Sequence, residues 1–127
     1  MLRWTNAVRS SAGSSLARAL RGSAPAARLA DRVVVLVFSE FGRTVSENGS
    51  AGTDHGTAGP VFLVGERVKG GLVGATPSLT DLDPKHGDLK VGIDFRRVYA
   101  AVLEDWLSLP ARAALAGSFE RLPLFRT

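Results

Sequence analysis

The sequence contains no cysteine, which excludes disulfide bonds and metal sites that are built on thiolates. It also contains no apolar run that approaches the ~20 residues of a membrane-spanning helix. The start of the chain lacks the apolar core, roughly 7–15 residues long, of a secretory signal peptide. We therefore expect no transmembrane segment, and no signal peptide is recognisable.

The excess of basic residues is confined to the start of the chain. Residues 1–32 contain six arginines and a single acidic residue, Asp31, whereas acidic residues slightly outnumber basic ones over residues 33–127. Nucleic-acid binding requires a basic face on a folded surface, and an excess that belongs to a leader does not provide one. The charge distribution therefore predicts no nucleic-acid partner.

The length of 127 residues is enough for one domain, which we expect to follow a leader over residues 1–30. The leader is rich in Arg, Ala and Ser, and we expect it to be disordered or partly helical. Its composition is that of a mitochondrial transit peptide. The alternative, which we favour, is translation of a GC-rich sequence from a mis-set start. Residues 31–127 then form the folded part.

Two apolar runs predict strands early in the folded part. Val33–Phe38 is a continuous, β-branched and apolar run, which is typical of a strand covered on both faces in a parallel sheet. Val61–Val64 is a second candidate strand, and the GGLVG stretch at 70–74 is a short third one. Residues 39–60, between the first two, are polar and Gly-rich and are predicted to form a long loop.

The clearest helix is predicted over residues 94–107, with Asp94 as its N-cap. A short helix is predicted to follow it, with Pro110 in its first turn and Gly117 at its end. Strands combined with such a helix indicate an α/β fold, in which ligands bind beyond the carboxyl ends of the strands. The loop 39–60 is therefore the candidate functional segment. Six apolar side chains recur at helical spacing on one face of the long helix and predict core packing: Phe95, Val98, Tyr99, Val102, Leu103 and Trp106.

The loop contains an Asp–His pair, Asp54 and His55, flanked by glycines. A carboxylate oxygen and an imidazole nitrogen are both ligands for zinc, manganese and related ions, and glycines allow the backbone to aim neighbouring side chains at one point. The alternative is an ordinary turn, because Asp in a Gly-rich loop often makes one. Glu40 lies just past the first strand, within reach of the loop as a further ligand. The alternative is that it pairs with Arg43 or accepts hydrogen bonds from the amides of the loop.

The remaining candidate ligands are interpreted as solvated. His86 lies in a turn-like segment, and Asp81, Asp83 and Asp88 lack the spacing of an EF-hand calcium loop, so residues 74–93 are predicted to be a solvated acidic loop. A catalytic metal site needs about three protein ligands, and no nucleophile or phosphate-loop motif is present. We assign no catalytic residue and recognise no complete active site.

Five segments stand out along the chain. SEFGR at 39–43 and GTDHG at 52–56 are followed by VKGGLVG, PSLTDLD and GDLKVGIDFRRVYAAVLEDWL. In this order they resemble the C-terminal part of the domain-of-unknown-function 1501 (DUF1501) proteins, which are uncharacterised bacterial proteins placed with the alkaline phosphatase and sulfatase superfamily. The resemblance covers roughly residues 29–109, and SEFGR and GTDHG are its most specific segments.

The resemblance implies a partial alkaline-phosphatase-like α/β/α sandwich with a mostly parallel sheet. It also implies that Asp54 and His55 help to bind one of two catalytic metal ions, because the phosphatases and phosphomutases of the superfamily use a D-H-G motif in this way. Glu40 and Arg43 would line the same edge, where Arg43 either contacts an anionic ester substrate or pairs with Glu40.

The nucleophile of the superfamily and the ligands of its first metal have no counterpart here. We therefore expect a C-terminal fragment of a metal-dependent phosphate or sulfate ester hydrolase-like protein, which carries one metal half-site and is inactive without the N-terminal part of the domain. The alternative is a non-catalytic binding or structural domain that retains only the fold. Related proteins are often exported, which suggests a periplasmic location.

Overall fold

A computed structural model describes residues 29–126 of the chain. The predicted leader lies outside these residues, except for its last two positions. The described part falls into two compact units. We call residues 37–62 and 72–95 the hairpin unit, and residues 29–36, 63–71 and 96–126 the helical unit. In chain order the elements are a 3-10 helix (Ala30–Arg32), β1 (Val34–Val37), β2 (Gly42–Glu47), β3 (Thr53–Gly56), β4 (Phe62–Gly65), α1 (Phe95–Ala101), a π-helical turn (Val102–Trp106) and α2 (Ala111–Leu115).

The predicted α/β/α sandwich with a mostly parallel sheet is wrong. The strands of the described residues form two separate two-stranded sheets, β1 with β4 and β2 with β3, and both pairs are antiparallel. The end of β4 lies against the start of β1, because a Cβ on Gly65 would be 3.0 Å from the Val33 carbonyl oxygen. Nor is the apolar run covered on both faces: Val37 and Phe38 are 50% and 53% exposed. Only the run itself is confirmed as a strand.

The segment 39–60, which was predicted to be one long loop, contains the β2–β3 hairpin. Its register pairs Gly42 with Gly56 and Arg43 with His55, and the register shifts before Glu47 pairs with Thr53. Gly42 is buried where the backbone of the following segment passes, so that a Cβ there would overlap the Ala58 carbonyl oxygen. Glycine is therefore needed at this position for space.

The turn of this hairpin is organised by one side chain. Asn48 Oδ1 accepts hydrogen bonds from the amides of Ser50, at 3.0 Å, and of Gly52, at 3.1 Å. The Asn48 amide in turn donates to the Gly52 carbonyl at 2.8 Å, and Ala51 has a left-handed φ of 56°. An Asx-type turn of this kind replaces ladder hydrogen bonds with side-chain ones and so closes the hairpin.

The predicted long helix, most of which lies in the helical unit, has two geometries. The first part is α1, in which Val98, Ala100 and Ala101 are buried. The chain then widens into the π-helical turn, where the Leu107 amide donates to the Val102 carbonyl at 3.1 Å. The small side chains at 100 and 101 are fully enclosed, whereas most of the predicted apolar stripe is half-buried.

Trp106 ends the π-helical turn within an aromatic and basic cluster. Its ring centroid lies 5.4 Å from that of Phe125, and the Arg67 guanidinium lies 5.1 Å from the indole centroid. The segments that carry these partners are joined by backbone hydrogen bonds, from Lys69 to Leu124 at 2.8 Å and from Arg126 to Arg67 at 2.7 Å.

The predicted third strand at 70–74 is absent, and residue 68 pairs instead with residue 125.

The short helix α2 is confirmed, but its ends lie one residue from the predicted positions. Pro110 is the N-cap and has an extended backbone, and the first amide, that of Ala111, donates to Glu104 Oε1 at 3.3 Å. The left-handed C-cap is Ala116, with a φ of 52°, instead of Gly117. An alanine in this conformation is strained, because its Cβ approaches the carbonyl oxygen that follows.

Candidate functional site

The D-H-G segment lies on strand β3 of the hairpin unit instead of in a loop. Asp54 and His55 are both exposed. Because successive side chains of a strand leave opposite faces, these two side chains diverge. Their surroundings must therefore be described face by face.

His55 lies on the face of the hairpin that also carries Phe41 and Arg43. The imidazole ring stacks on the Phe41 ring, with the centroids 3.6 Å apart and the planes inclined by 17°. Arg43 is the direct cross-strand partner of His55. Stacking occupies the flat side of the imidazole, and neither ring nitrogen has a hydrogen-bond partner among residues 29–126. The nitrogens thus remain available to a ligand at the ring edge.

Asp54 is held on the other face by the hairpin itself. Its Oδ1 accepts a hydrogen bond from Asn48 Nδ2 at 2.9 Å, and its amide donates to Thr44 Oγ1 at 3.0 Å. The turn residue Asn48 thereby connects the turn to the carboxylate. These hydrogen bonds within the hairpin are enough to explain why an aspartate stands at this position.

A single metal ion requires ligands that converge on one point, and the residues of this segment do not fit that requirement as they stand. Asp54 and His55 leave opposite faces of β3, and the described part of the chain contains no group of three or more His, Asp or Glu side chains placed to hold an ion. A catalytic zinc site uses about three protein ligands. The role of Asp54 and His55 as metal ligands stays a prediction.

Arg43 is an exposed charged side chain at the cross-strand position opposite His55. One Nη donates to the Thr53 carbonyl at 2.8 Å, and the guanidinium lies 5.5 Å from the centre of the Phe41 ring. Within residues 29–126, no carboxylate forms an ion pair with it. Glu40 is exposed, and the structure does not bring it into contact with Arg43. Arg43 is thus oriented by a neutral carbonyl instead of by a carboxylate.

Arg43 and Phe41 form part of the wall of a cleft of about 830 Å³ in the hairpin unit. The volume is typical of small-molecule sites, which are mostly apolar with a few polar groups. Asp54 and His55 do not line this cleft. The remaining lining residues are Ser39, Gly42, Ala58, Gly59, Pro60, Leu72, Gly74, Thr76, Pro77 and Leu89.

Asp88 was predicted to be solvated and is instead buried, with 5% of its surface exposed. Its Oδ2 accepts a hydrogen bond from the Thr57 amide at 3.1 Å, and the Thr57 hydroxyl donates to the Leu89 carbonyl at 3.1 Å. The sequence carries no signal for this contact, since 31 residues separate the two partners. Sequence reasoning therefore missed a buried contact to Thr57, the residue that directly follows the D-H-G segment.

The rest of the acidic loop agrees better with the prediction. His86 is exposed, and its Nδ1 lies 3.3 Å from Asp83 Oδ1. A hydrogen bond from the Lys85 amide is the largest cause that lowers the pKa of Asp83 below its ordinary value, and His86 adds to it. The Asp83 carboxylate serves to close a local turn and is not directed at the cleft.

The comparisons with known proteins identify one family. The family described as "Protein of unknown function (DUF1501)" matches residues 26–115, which is more than half of the chain. The chain therefore belongs to this family, whose function is uncharacterised. No curated protein and no solved structure matches it. Among the described helices, none is long and apolar enough to cross a membrane.

Proposed function

We propose that the hairpin unit binds an anionic ester, with Arg43 contacting the phosphate or sulfate group and the cleft enclosing the apolar part of the ester. The observation that carries this proposal is the presence in the wall of an apolar cleft of Arg43, whose guanidinium has no carboxylate partner among residues 29–126. This is a binding function, and it requires neither a metal nor a nucleophile from this chain.

The chemistry of Arg43 supports an anion with several oxygens. A guanidinium has five N–H donors in a planar fork, and the described contacts use one of them, to Thr53. The free donors match two oxygens of a phosphate or sulfate group, which are bound with charge-assisted hydrogen bonds. The nearby Phe41 ring restricts the guanidinium and so lowers the entropy lost on binding.

The test is calorimetric titration of the chain with phenyl phosphate and phenyl sulfate, compared with inorganic phosphate and with phenol. Arg43→Gln should weaken binding of the phenyl esters by about 10–100-fold, because it removes charge-assisted hydrogen bonds. Arg43→Lys should recover only part of the loss, since Lys lacks the fork. The matched control is Arg112→Gln, which removes the same charge from an exposed position in the helical unit.

Two results would overturn the proposal. One is a phenyl ester affinity that is the same in Arg43→Gln and in the unaltered chain. The other is an affinity for inorganic phosphate equal to that for phenyl phosphate, which would mean that the apolar cleft takes no part.

A second proposal follows the family resemblance: Asp54 and His55 are two ligands of a divalent metal, such as zinc or manganese, in a phosphate or sulfate ester hydrolase-like protein. It is favoured by the D-H-G motif and by the free ring nitrogens of His55. Because β3 directs the two side chains to opposite faces, both would reach one ion only after a local change in this strand. Further ligands would come from outside the described residues, and no nucleophile is assigned to this chain.

Equilibrium dialysis against Zn²⁺ and Mn²⁺ tests the second proposal without an activity assay. Metal binding should be lost in both Asp54→Asn and His55→Asn and kept in His86→Asn, which removes the other histidine. If Asp54→Asn retains the metal content of the unaltered chain, the shared metal site does not exist.

A further inference from the structure

Asp88 is the only buried charged or polar side chain among residues 29–126. One carboxylate oxygen, Oδ2, accepts the Thr57 amide, and the other, Oδ1, is buried without a hydrogen-bond partner in the described part of the chain. Burial of a carboxylate with incomplete hydrogen bonding is costly. A side chain with this cost should serve a purpose that an apolar residue cannot serve.

The side-chain contacts of Asp88 lie at the end of β3. Thr57 directly follows the D-H-G segment, and its two hydrogen bonds, to Asp88 and to the Leu89 carbonyl, fix it to the loop. Gly56 lies between the loop and the first strand of the hairpin. A Cβ there would be 2.9 Å from Asp88 Oδ1 and 2.7 Å from the Arg43 carbonyl carbon. The carboxylate thus covers Gly56 and fixes the position of β3 against β2.

The backbone of the Asp88 loop is closed without help from this side chain. The Asp83 amide donates to the Asp88 carbonyl at 2.7 Å, and the Gly87 amide donates to the Asp83 carbonyl at 2.8 Å. Leu82 also pairs with Leu89 in an isolated β-bridge. A substitution at Asp88 therefore tests the carboxylate itself and leaves the loop closed.

We propose that Asp88 is a positioning residue for the ligand-binding face of the hairpin. Its carboxylate holds Thr57 and Gly56, which keeps His55 stacked on Phe41 and opposite Arg43. The adjacent Leu89 places one wall of the cleft. The effect of Asp88 on ligand binding rests on the anionic-ester proposal, whereas its effect on the geometry of β3 does not.

Proton NMR of the two histidines provides a readout of that geometry. The His55 ring protons should be displaced upfield by the Phe41 ring current, and the exposed His86 serves as an internal reference. Asp88→Ala should move the His55 signals towards the values of a histidine that does not stack on an aromatic ring, and it should leave the His86 signals in place. Asp88→Asn should restore the His55 signals, because its amide oxygen can accept the Thr57 amide.

Asp81→Ala is the matched control, an exposed aspartate in the same loop that pairs with Lys90 at the surface. It should leave both histidines unchanged. If Asp88→Ala leaves the His55 signals where they are in the unaltered chain, the proposal is wrong. If Asp88→Ala does not fold, hydrogen exchange of the unaltered chain decides: the Thr57 amide should be protected, and an unprotected Thr57 amide overturns the proposal.

Titration of the same variants with phenyl phosphate separates this inference from the proposed function. Asp88→Ala should weaken binding roughly fivefold or more, the range of coupling between distinct sites, and Asp81→Ala should not. If phenyl phosphate fails to bind the unaltered chain, the anionic-ester proposal fails. The His55 signals still decide whether Asp88 positions β3.

Discussion

The hairpin unit and the helical unit are stabilised by different interactions. Of the thirteen buried apolar side chains among residues 29–126, ten belong to the helical unit and three, Ala58, Val61 and Ile93, to the hairpin unit. The hairpin unit instead contains most of the side-chain-to-backbone hydrogen bonds, from Asn48, Thr57, Asp83 and Ser78. One unit depends on apolar burial and the other on close backbone approach and polar contacts.

This difference explains where the candidate site lies. A segment that buries little apolar surface leaves its side chains and its cleft accessible to ligands. Ligand-binding segments are generally found in the less stable parts of proteins. Titratable groups show the same contrast. In the hairpin unit a backbone hydrogen bond lowers the pKa of Asp83, whereas in the helical unit burial raises the pKa of Tyr99.

The largest effect is expected from Gly42→Ala, which tests whether close backbone approach stabilises the hairpin. The new Cβ would overlap the Ala58 carbonyl oxygen, so backbone has to move. We expect a loss of about 3 kcal/mol or more in the free energy of unfolding, at the upper end for overpacking. Denaturant unfolding and amide exchange over 42–56 measure it.

Gly49→Ala is the control for this prediction, because nothing lies within 4 Å of the added Cβ. Its expected effect is within about 0.5 kcal/mol. Equal stability of the two variants would remove the distinction between the units.

In the helical unit, Phe125→Ala should have the largest effect of an apolar truncation. Phe125 is 6% exposed and contacts the Trp106 ring. We expect a loss of about 3 kcal/mol, typical of a buried aromatic residue. Leu107→Ala, at a side chain that is 50% exposed, should cost about 0.5 kcal/mol or less.

Tryptophan fluorescence reports on this change if Trp4→Phe leaves Trp106 as the single emitter. The emission of Trp106 should shift to longer wavelength in Phe125→Ala and not in Leu107→Ala. A Phe125→Ala chain as stable as Leu107→Ala would show that apolar burial is not what holds this unit.

A smaller effect of opposite sign is expected at the end of α2. Ala116→Gly relieves the left-handed strain at the C-cap and should raise the free energy of unfolding by about 0.5–1 kcal/mol. Ala113→Gly, at an exposed position inside the same helix, should lower it by roughly 0.5–1 kcal/mol. Thermal denaturation distinguishes the two, and the same sign for both would contradict the backbone argument.

The smallest effect concerns Tyr99, the single tyrosine of the chain. Burial raises its pKa above the ordinary value of about 10. Because the folded pKa is the higher one, the contribution of Tyr99 to stability is complete below the ordinary pKa and is lost as the pH rises through the folded pKa. Alkaline titration by ultraviolet absorbance should give a higher midpoint in the folded chain than in denaturant; identical midpoints would contradict enclosure of the ring.

The strands and helices with strong apolar patterns could be predicted from the sequence. Val34–Val37, Phe62–Gly65 and the start of the long helix lie where the patterns indicate. Their arrangement could not be predicted, because an unbroken apolar run is equally compatible with a buried parallel strand and with a half-buried antiparallel one. The resemblance to a superfamily with a parallel sheet then favoured the wrong choice.

The hairpin and its site were harder to predict for local reasons. Strand β3 reads TDHG, and Asp and Gly are both depleted in strands, so a loop was the natural interpretation. Gly56 is needed because a Cβ at this position would lie too close to Arg43 and to Asp88. Both residues are distant from Gly56 in sequence, so the local pattern does not reveal this requirement. The Asp–His pair was identified as the candidate segment, but the divergence of its side chains follows only from the strand conformation.

The π-helical turn at Val102–Trp106 has a consequence for insertions and deletions. A turn of this kind is what a single extra residue leaves in an α-helix. Each residue of an α-helix advances the side chain by about 100°, and the wider π turn absorbs one extra residue without that rotation. Deletion of one residue within the turn should therefore restore α geometry and leave the indole of Trp106 on the side of Phe125 and Arg67. A deletion that the turn does not absorb would instead rotate the indole away from both partners. The turn is therefore the place in this helix where the chain length can change by one residue while the last segment of the protein keeps its aromatic partner.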